Sequence, residues 1–152
     1  MVDVVLRRAS RLIALDSAGR VVLFQYEDQR GLWWATPGGG LDDGEDFATA
    51  AAREAREELG TVAVVLLPLW DRTTEYEARG QHIRQFEQFF LVARGVDPEV
   101  VSQQVAEHDR EGIKAVRWWT LEELRHTAEQ VFPEDLVPKL VELREGRPEL
   151  FA

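Results

Sequence analysis

The chain has 152 residues, a length typical of one compact domain, and 45% of them are hydrophobic, which is enough apolar material for a core. The formal net charge is −10, from 18 Lys and Arg against 28 Asp and Glu, so the basic footprint of a nucleic-acid-binding protein is missing and duplex DNA or RNA is not expected as a partner. The absence of cysteine excludes disulfides, thiolate zinc sites and cysteine nucleophiles.

The first residues lack the apolar region of a signal peptide, and no apolar run approaches the roughly 18–20 residues of a membrane span. We therefore expect a cytoplasmic protein that does not enter membranes.

The first part of the chain predicts two strands and a helix around a glycine-rich loop. Residues 10–15 and 20–26 are β-rich runs, and the tetrapeptide between them (Asp, Ser, Ala, Gly) has the composition of a hairpin turn. Residues 27–45 form an irregular segment. Good helix formers fill residues 47–59, with Asp46 as the N-cap and Gly60 as the residue after the helix, where a positive φ is common.

The second part of the chain predicts further strands and helices. Apolar and β-branched runs favour strands over residues 62–70, 85–93 and 115–119. Residues 96–112 have the composition of a polar loop that can include a helical turn. Thr120 and Glu123 have the spacing of a capping box, and a last helix is expected from Pro133 or Glu134 to Arg144. This order of elements predicts one α+β domain over residues 1–152.

Three carboxylates share one side of the predicted helix over 47–59. Residues three and four apart lie on the same face of a helix, so Glu54, Glu57 and Glu58 project together. The neighbouring face collects small and apolar side chains that are expected to be buried: Ala48, Ala51, Ala52, Ala55 and Leu59. The acidic side is either a solvated helix face or a set of oxygen ligands for a hard cation such as Mg²⁺.

The run Gly38-Gly39-Gly40 before this helix costs backbone entropy, which is offset where the backbone approaches another group closely. No Gly-Lys-Ser/Thr follows, so it is not a phosphate-binding P-loop, and Gly-x-Gly-x-x-Gly spacing after a strand is also missing. An ordinary turn is the simpler alternative for the glycines alone.

The joint spacing of loop and helix carries more information than either part. Gly39 is followed by five residues and Glu45, and then by seven residues and Arg53-Glu54. The segment continues through Glu57-Glu58 to Gly60, with Ala55 and Thr61 at two positions that are usually aliphatic. From Gly39 to Thr61 the sequence resembles the signature of the Nudix hydrolase family.

The resemblance implies a fold, an activity and a set of site residues. The fold would be an α/β/α sandwich with a mixed β-sheet. The activity would be hydrolysis of a nucleoside diphosphate linked to another moiety, such as a nucleoside triphosphate, a dinucleoside polyphosphate or a nucleotide sugar, with Mg²⁺ or Mn²⁺. The metal ligands would be Glu54, Glu57, Glu58 and the carbonyl of Gly39 or a neighbouring glycine. Arg53 would orient these glutamates, and Glu45 would brace the loop. The general base would be Glu57 or Glu58, or, outside the signature, Glu111.

Substrate selection is expected to depend on residues outside this segment. Aromatic side chains stack on bases, and Trp33 and Trp34 precede the glycines; Trp34 is our candidate. Tyr76 stands at the distance from the signature where diadenosine polyphosphate hydrolases carry a tyrosine, and the proline that is typical of ADP-ribose hydrolases is missing there. Arg72 and Arg84 are candidates for a distal phosphate, with Arg84 included in the predicted substrate-binding set.

Two alternatives belong to other functional classes. A catalytically silent member of this fold would bind a nucleotide as a sensor, although the intact set Glu54, Glu57 and Glu58 argues against it. An isomerase of the same fold would act on a diphosphate ester, and the short chain without cysteine argues against that. Exposed sheet edges of such folds often support dimers, so a homodimer is left open.

Overall fold

The computed structural model describes residues 3–60, 65–93, 96–107 and 112–151. Within these ranges, the strands are β1 (Val4–Ala14), β2 (Val21–Asp28), β3 (Gly31–Ala35), β4 (Gly38–Gly40), β5 (Val65–Ala78), β6 (Gln81–Ala93), β7 (Ala115–Trp119) and β8 (Gln130–Phe132). The helices are α1 (Phe47–Leu59), α2 (Pro98–Glu107), α3 (Leu121–His126) and α4 (Leu136–Gly146), followed by a 3₁₀ turn (Pro148–Phe151). In the part of the chain that is described, none of the helices has the length and apolar character needed to cross a membrane.

The strands form two four-stranded mixed sheets. The first has the order β4-β1-β6-β5, in which β1 and β6 are parallel and the other pairs are antiparallel. The second has the order β7-β2-β3-β8, in which β3 and β8 are parallel. The mixed pairing and the α+β class that the sequence predicted are both confirmed, with two sheets in place of one.

Alternating side chains of the central strands supply two cores. On β1, Leu12 and Ala14 pack in one core with Ala51, Ala55 and Leu59 of α1. Ile13, from the same strand, packs in the other core with Leu124 of α3 and with Leu136 and Leu140 of α4. Successive side chains of a strand point to opposite faces, so strands with helices on both sides are buried throughout. This arrangement is the expected α/β/α sandwich.

The predicted β-hairpin over residues 10–26 is wrong in its pairing, although its turn is correct. The Asp16 N–H donates to the Arg20 carbonyl at 3.0 Å, and an isolated bridge joins Leu15 to Val21. Beyond the bridge, β1 and β2 separate into different sheets. The strand β1 is hydrogen-bonded to β4 and β6, and the strand β2 is hydrogen-bonded to β3 and β7. Both edges of each strand are therefore occupied, and β1 and β2 do not pair with each other along their length.

Other predicted boundaries also change. The strands predicted over 62–70 and 85–93 are parts of a long antiparallel pair, β5 and β6, which turns at Arg79 and Gly80; residues 62–64 of the first prediction lie outside the described ranges. The predicted polar loop over 96–112 contains the helix α2, whose Val101 is fully buried. On α1, Ala48 is exposed and Ala50 is buried in its place. The strand β7 and the Thr120–Glu123 capping box agree with the prediction.

Asp16 holds the turn at which the two sheets separate, and its replacement by alanine is expected to destabilise the protein. Its Oδ1 accepts hydrogen bonds from the backbone N–H groups of Ala18 and Arg20, at 3.0 and 2.8 Å, and its Oδ2 accepts one from Arg20 Nε at 2.7 Å. Removing a buried acceptor leaves these donors unsatisfied, so Asp16→Ala should lower the free energy of unfolding by about 2 kcal/mol in urea denaturation.

Asp28→Ala is the matched control for this prediction. Asp28 makes a similar turn with Arg30, but its side chain is 37% exposed, compared with 2% for Asp16. Water can replace its hydrogen bonds, so the loss of stability should be much smaller. Equal losses for the two variants would contradict the assigned role of Asp16.

Candidate active site

The three consecutive glycines form strand β4 against β1, with Gly38, Gly39 and Gly40 opposite Arg11, Ser10 and Ala9. At Gly38 φ is +133°, and a Cβ there would lie 2.1 Å from the Ser10 carbonyl oxygen. A side chain at this position would therefore collide with the backbone of β1. Gly38 is required by this close strand pairing, and the glycines form a strand, so the alternative of an ordinary turn is excluded.

Helix α1 is fixed at both ends. Asp46 Oδ1 accepts a hydrogen bond from the Thr49 N–H at 2.7 Å, as expected for an N-cap, and the Ser10 hydroxyl donates to the Phe47 carbonyl at 2.7 Å. At the other end Gly60 has φ of +69°, as predicted. The side-chain amide of Gln104 on α2 donates to the carbonyls of Arg56 and Glu57, both at 3.2 Å. The helix α2, for which the sequence indicated at most a helical turn, thus satisfies two carbonyls at the end of α1.

The guanidinium of Arg53 joins the loop to the helix. Its Nη2 donates to the Gly40 carbonyl at 3.0 Å, and its Nε donates to Glu45 Oε2 at 2.9 Å. Its Nη1 lies 3.0 Å from Glu54 Oε1 and 3.2 Å from Glu57 Oε2. The side chain is 18% exposed, and the hydrogen bond to Glu45 is the main reason that the Arg53 pKa is raised above its ordinary value. One cation therefore sets the relative positions of three of the glutamates in the signature.

Glu45 lies between Arg53 and the backbone of the loop. Its Oε1 accepts hydrogen bonds from Arg53 Nη2 at 2.9 Å and from the Asp42 N–H at 2.7 Å. The hydrogen bonds from Arg53 and then from the Asp42 N–H lower the pKa of Glu45 to about 2. The carboxylate is thus charged throughout the neutral range and ties the loop at Asp42 to the helix.

The three glutamates of the acidic side have unequal surroundings. Glu54 and Glu58 are each 7% exposed, whereas the side chain of Glu57 is 56% exposed. Glu58 Oε2 accepts a hydrogen bond from the Gly38 N–H at 2.7 Å. A Cβ at Gly39 would lie 2.6 Å from Glu54 Oε1, so the backbone of β4 approaches this carboxylate closely. The expected acidic face is therefore largely buried against the glycine strand, with Glu57 as its accessible member.

The donor chemistry of this region fits a hard divalent cation. Glu54, Glu57 and Glu58 offer carboxylate oxygens, the glycine strand offers carbonyl oxygens, and such oxygens are the ligands that Mg²⁺ prefers. The missing side chain at Gly39 leaves room beside Glu54. Among the described residues no group of three or more His, Cys, Asp or Glu is already arranged to hold an ion, because Arg53 contacts both Glu54 and Glu57.

A cavity of about 400 Å³ lies between the two sheets beside the glycine strand. Its walls come from β1, β5 and β6 of one sheet and from β3, β8 and their flanking residues of the other: Arg11, Arg30, Trp33, Ala35, Thr36, Arg72, Thr74, Glu75, Tyr76, Gln85, Glu87, Phe132, Pro133 and Glu134. Arg11 is opposite Gly38 in the β1–β4 pair, so the cavity adjoins the glycine strand. A volume in this range suits a small-molecule ligand.

The two predicted aromatic residues differ in position. Tyr76 lines the cavity, and its hydroxyl donates to Gln85 Oε1 at 3.1 Å. Trp34 is 5% exposed and packs edge-on against Trp119 in the core, with ring centroids 5.3 Å apart. Its neighbour Trp33 lines the cavity instead, because adjacent residues of a strand face opposite sides. This burial contradicts the predicted stacking role of Trp34.

The remaining predicted residues lie outside the cavity or outside the described part of the chain. Arg84 is exposed and pairs with Glu75 at 2.8 Å, whereas Arg72, the other arginine considered for a distal phosphate, lines the cavity. Glu111 falls among residues 108–111, which lie outside the described ranges. The sequence reading missed Arg11, Gln85 and Glu87, which line the cavity. A charged residue inside the apolar run of β6 was the available signal for Glu87.

The charge on Glu45 should make stability depend on pH in the acid range. Its pKa in the folded protein, about 2, is below the ordinary 4.5, so its contribution to stability is complete above about pH 4.5 and is lost as the pH falls towards 2. The difference in the free energy of unfolding between the wild type and Glu45→Gln should therefore narrow as the pH is lowered. Urea denaturation at pH 6, 4.5 and 3 measures this difference, and a constant difference would contradict the Glu45–Arg53 pairing.

Comparisons with known proteins identify the family and the fold. The family model of the NUDIX domain matches residues 5–140. The RNA pyrophosphohydrolase of Pelagibacter ubique is 34% identical over 76 residues, 50% of this chain and 48% of that protein. The RNA pyrophosphohydrolase of Dinoroseobacter shibae is 40% identical over 70 residues, 46% of this chain and 43% of that protein. The chain thus spans less than half the length of these curated relatives.

A solved structure has the same fold. The crystal structure of a MutT NUDIX hydrolase from Burkholderia pseudomallei matches with a TM-score of 0.65 and 22% identity, over 87% of this chain and 95% of that one. The loop and helix that Arg53 joins lie within the match to the family model. Because that model covers most of its length, the chain belongs to the NUDIX domain family.

Proposed function

We propose that the protein hydrolyses a pyrophosphate linkage in a nucleoside diphosphate-linked compound, with Mg²⁺ or Mn²⁺ as cofactor. The observation that carries the proposal is the cluster around Arg53, which joins the Gly40 carbonyl, Glu45, Glu54 and Glu57. The names of the curated relatives support the same reaction class, since they describe pyrophosphohydrolases.

Glu54, Glu57, Glu58 and the carbonyl of Gly39 would hold the divalent cation. When bound, such a cation neutralises phosphate oxygens and lowers the pKa of a coordinated water. Arg53 holds the carboxylates of Glu54 and Glu57 on one side of the helix, and the Gly38 N–H fixes that of Glu58. These contacts restrain the three carboxylates on the side of α1 where the cation would bind.

Glu57 is our candidate for the general base. A base must reach the attacking water, and the Glu57 side chain is 56% exposed, whereas the Glu58 carboxylate is buried and accepts the Gly38 N–H. Arg53 Nη1 lies 3.2 Å from Glu57 Oε2 and restrains this carboxylate on the exposed side of α1. Glu111 is the alternative base outside the signature.

The cavity would hold the nucleotide part of the substrate. Trp33 presents an aromatic surface there, stacked on Tyr26 with a centroid distance of 4.9 Å, and it replaces Trp34 as the candidate for base stacking. Tyr76 and Gln85 offer hydrogen-bonding groups on the opposite sheet. An aromatic wall with a few polar groups suits a nucleoside better than a purely polar metabolite.

The 5′ end of an RNA is a second substrate candidate. Two relatives at 34% and 40% identity are named RNA pyrophosphohydrolases, although the match spans less than half of each. The net charge of −10 argues against long contacts with an RNA backbone. An RNA substrate would therefore be bound mainly through its terminal nucleotide and phosphates.

A substrate panel tests the proposal. The protein is incubated with Mg²⁺ and, separately, with nucleoside triphosphates, dinucleoside polyphosphates, nucleotide sugars and an RNA oligonucleotide with a 5′-triphosphate, and the products are analysed by chromatography. We expect cleavage of a pyrophosphate linkage in at least one class, with loss of activity in EDTA. Hydrolysis of none would contradict the enzyme proposal and favour the nucleotide-binding sensor.

Glu57→Gln should then reduce turnover of the active substrate about 100-fold or more, because it removes a metal ligand or base from an exposed position while the helix stays folded. Asp43→Asn removes the same charge from the exposed loop before α1, outside the signature positions, and should keep nearly full turnover. Circular dichroism monitors the fold of both. Near-wild-type turnover of Glu57→Gln would contradict its assignment.

A further inference from the structure

A buried carboxylate in the floor of the cavity holds two arginines. Glu87 is 7% exposed and lies on β6. Its Oε2 accepts hydrogen bonds from Arg11 Nε at 2.8 Å and from Gln85 Nε2 at 3.1 Å, while its Oε1 lies 3.4 Å from Arg72 Nη1. A buried carboxylate needs such partners, and here two cations share it.

Both guanidiniums keep donor capacity for a ligand. Arg11 and Arg72 line the cavity, and their side chains are 26% and 24% exposed. A guanidinium carries five N–H donors, and within the described residues each of these two donates one hydrogen bond to the protein. The Arg72 contacts are long, 3.4 Å to Glu87 and 3.6 Å to Asp135, whereas charge-assisted bonds are usually about 2.7–2.9 Å.

The other charges of the cavity are largely engaged elsewhere. Arg30 pairs with Asp28 at 2.6 Å, and Glu75 pairs with Arg84 at 2.8 Å. Glu134 also lines the cavity, so its walls carry no large positive charge. Recognition by Arg11 and Arg72 would therefore depend on the number and direction of their donors, which match the oxygens of a phosphate group.

The position of the cluster relative to the glycine strand suggests which part of a ligand it meets. In the register of the strands, Arg72 on β5 is opposite Glu87 on β6, Glu87 is opposite Ala9 on β1, and Ala9 is opposite Gly40 on β4. These four residues form one row across the sheet. Neighbouring strands are about 4.8 Å apart, so the backbone at Glu87 is about 10 Å from that at Gly40. Ser10 and Leu12 contact α1, so Arg11 between them is on the opposite face of β1, and a group bound at the cluster is separated from a linkage cleaved beside α1. The aromatic wall at Trp33 belongs to the facing sheet.

We propose that Arg11 and Arg72, held together by Glu87, form an anion subsite that binds a phosphate group of the substrate other than the two at the scissile linkage. The identity of the ligand as part of the substrate rests on the proposed function. A substrate that uses this subsite has at least three phosphates in a chain, as in nucleoside triphosphates, dinucleoside polyphosphates or a 5′-triphosphorylated RNA. Nucleotide sugars with two phosphates would leave it unused.

The test is the affinity for inorganic tripolyphosphate in EDTA, measured by isothermal titration calorimetry, which needs neither metal nor turnover. The wild type should bind tripolyphosphate. Arg11→Gln and Arg72→Gln should each weaken binding about tenfold or more, since each removes charge-assisted hydrogen bonds. Arg125→Gln is the matched control, because Arg125 lies on α3, is 47% exposed and does not line the cavity, and its affinity should equal that of the wild type.

The melting temperature separates binding from a purely structural role. If the arginines serve only to neutralise Glu87, Arg72→Gln lowers the melting temperature and leaves the tripolyphosphate affinity unchanged, which overturns the proposal. No binding by the wild type, or an equal loss in Arg125→Gln, also overturns it. If tripolyphosphate binds as expected but no compound of the substrate panel is hydrolysed, the proposed reaction is contradicted and the proposed anion subsite is still supported.

Discussion

The shared guanidinium of Arg53 is the contact on which the candidate site depends. It is charged at any physiological pH, and its donors reach the loop at Gly40 and Glu45 and the helix at Glu54 and Glu57. Without it, carboxylates on one side of α1 would repel one another and the loop would lose its link to the helix. One cation can contact all four of these groups only if their spacing along the chain is fixed, which explains why the signature is a pattern of fixed sequence spacings.

Packing places Arg53 where it can make these contacts. Ala51 and Ala55 have no exposed surface, and such small side chains let α1 lie close to β1. Gly38 lets β4 pair with β1 despite the positive φ, and Gly39 brings its backbone against Glu54. The glycine strand, the helix and β1 thus form one rigid unit. The cavity beside this unit belongs to the space between two sheets that separate after the Asp16 turn.

The sequence predicted best what is determined locally. The helix α1, its cap at Asp46, its end at Gly60 and the Thr120–Glu123 box all depend on residues within a few positions of one another. The pairing of β1 with β6 depends on contacts about 80 residues apart, and the predicted hairpin ignored them. The sequence pointed to Trp34, whereas Trp33 lines the cavity, for a similar reason. Adjacent residues of a strand point to opposite faces, and the sequence does not specify which face of β3 meets the cavity. The cluster of Arg11, Glu87 and Arg72 joins residues of three strands that are distant in the sequence. Its one local indication in the sequence was the charge of Glu87 within the apolar run of β6.

Binding of Mn²⁺, followed by electron paramagnetic resonance, tests most directly whether loop and helix form one metal site. A Cβ at Gly39 would lie 2.6 Å from Glu54 Oε1, whereas a Cβ at Gly40 would have its nearest neighbours at 3.7 Å. Gly39→Ala should therefore weaken Mn²⁺ binding by about tenfold or more, and Gly40→Ala should bind as the wild type does. Equal affinities for the wild type and Gly39→Ala, or no Mn²⁺ binding by the wild type, would contradict the assignment of the Gly39–Glu54 contact to a metal site.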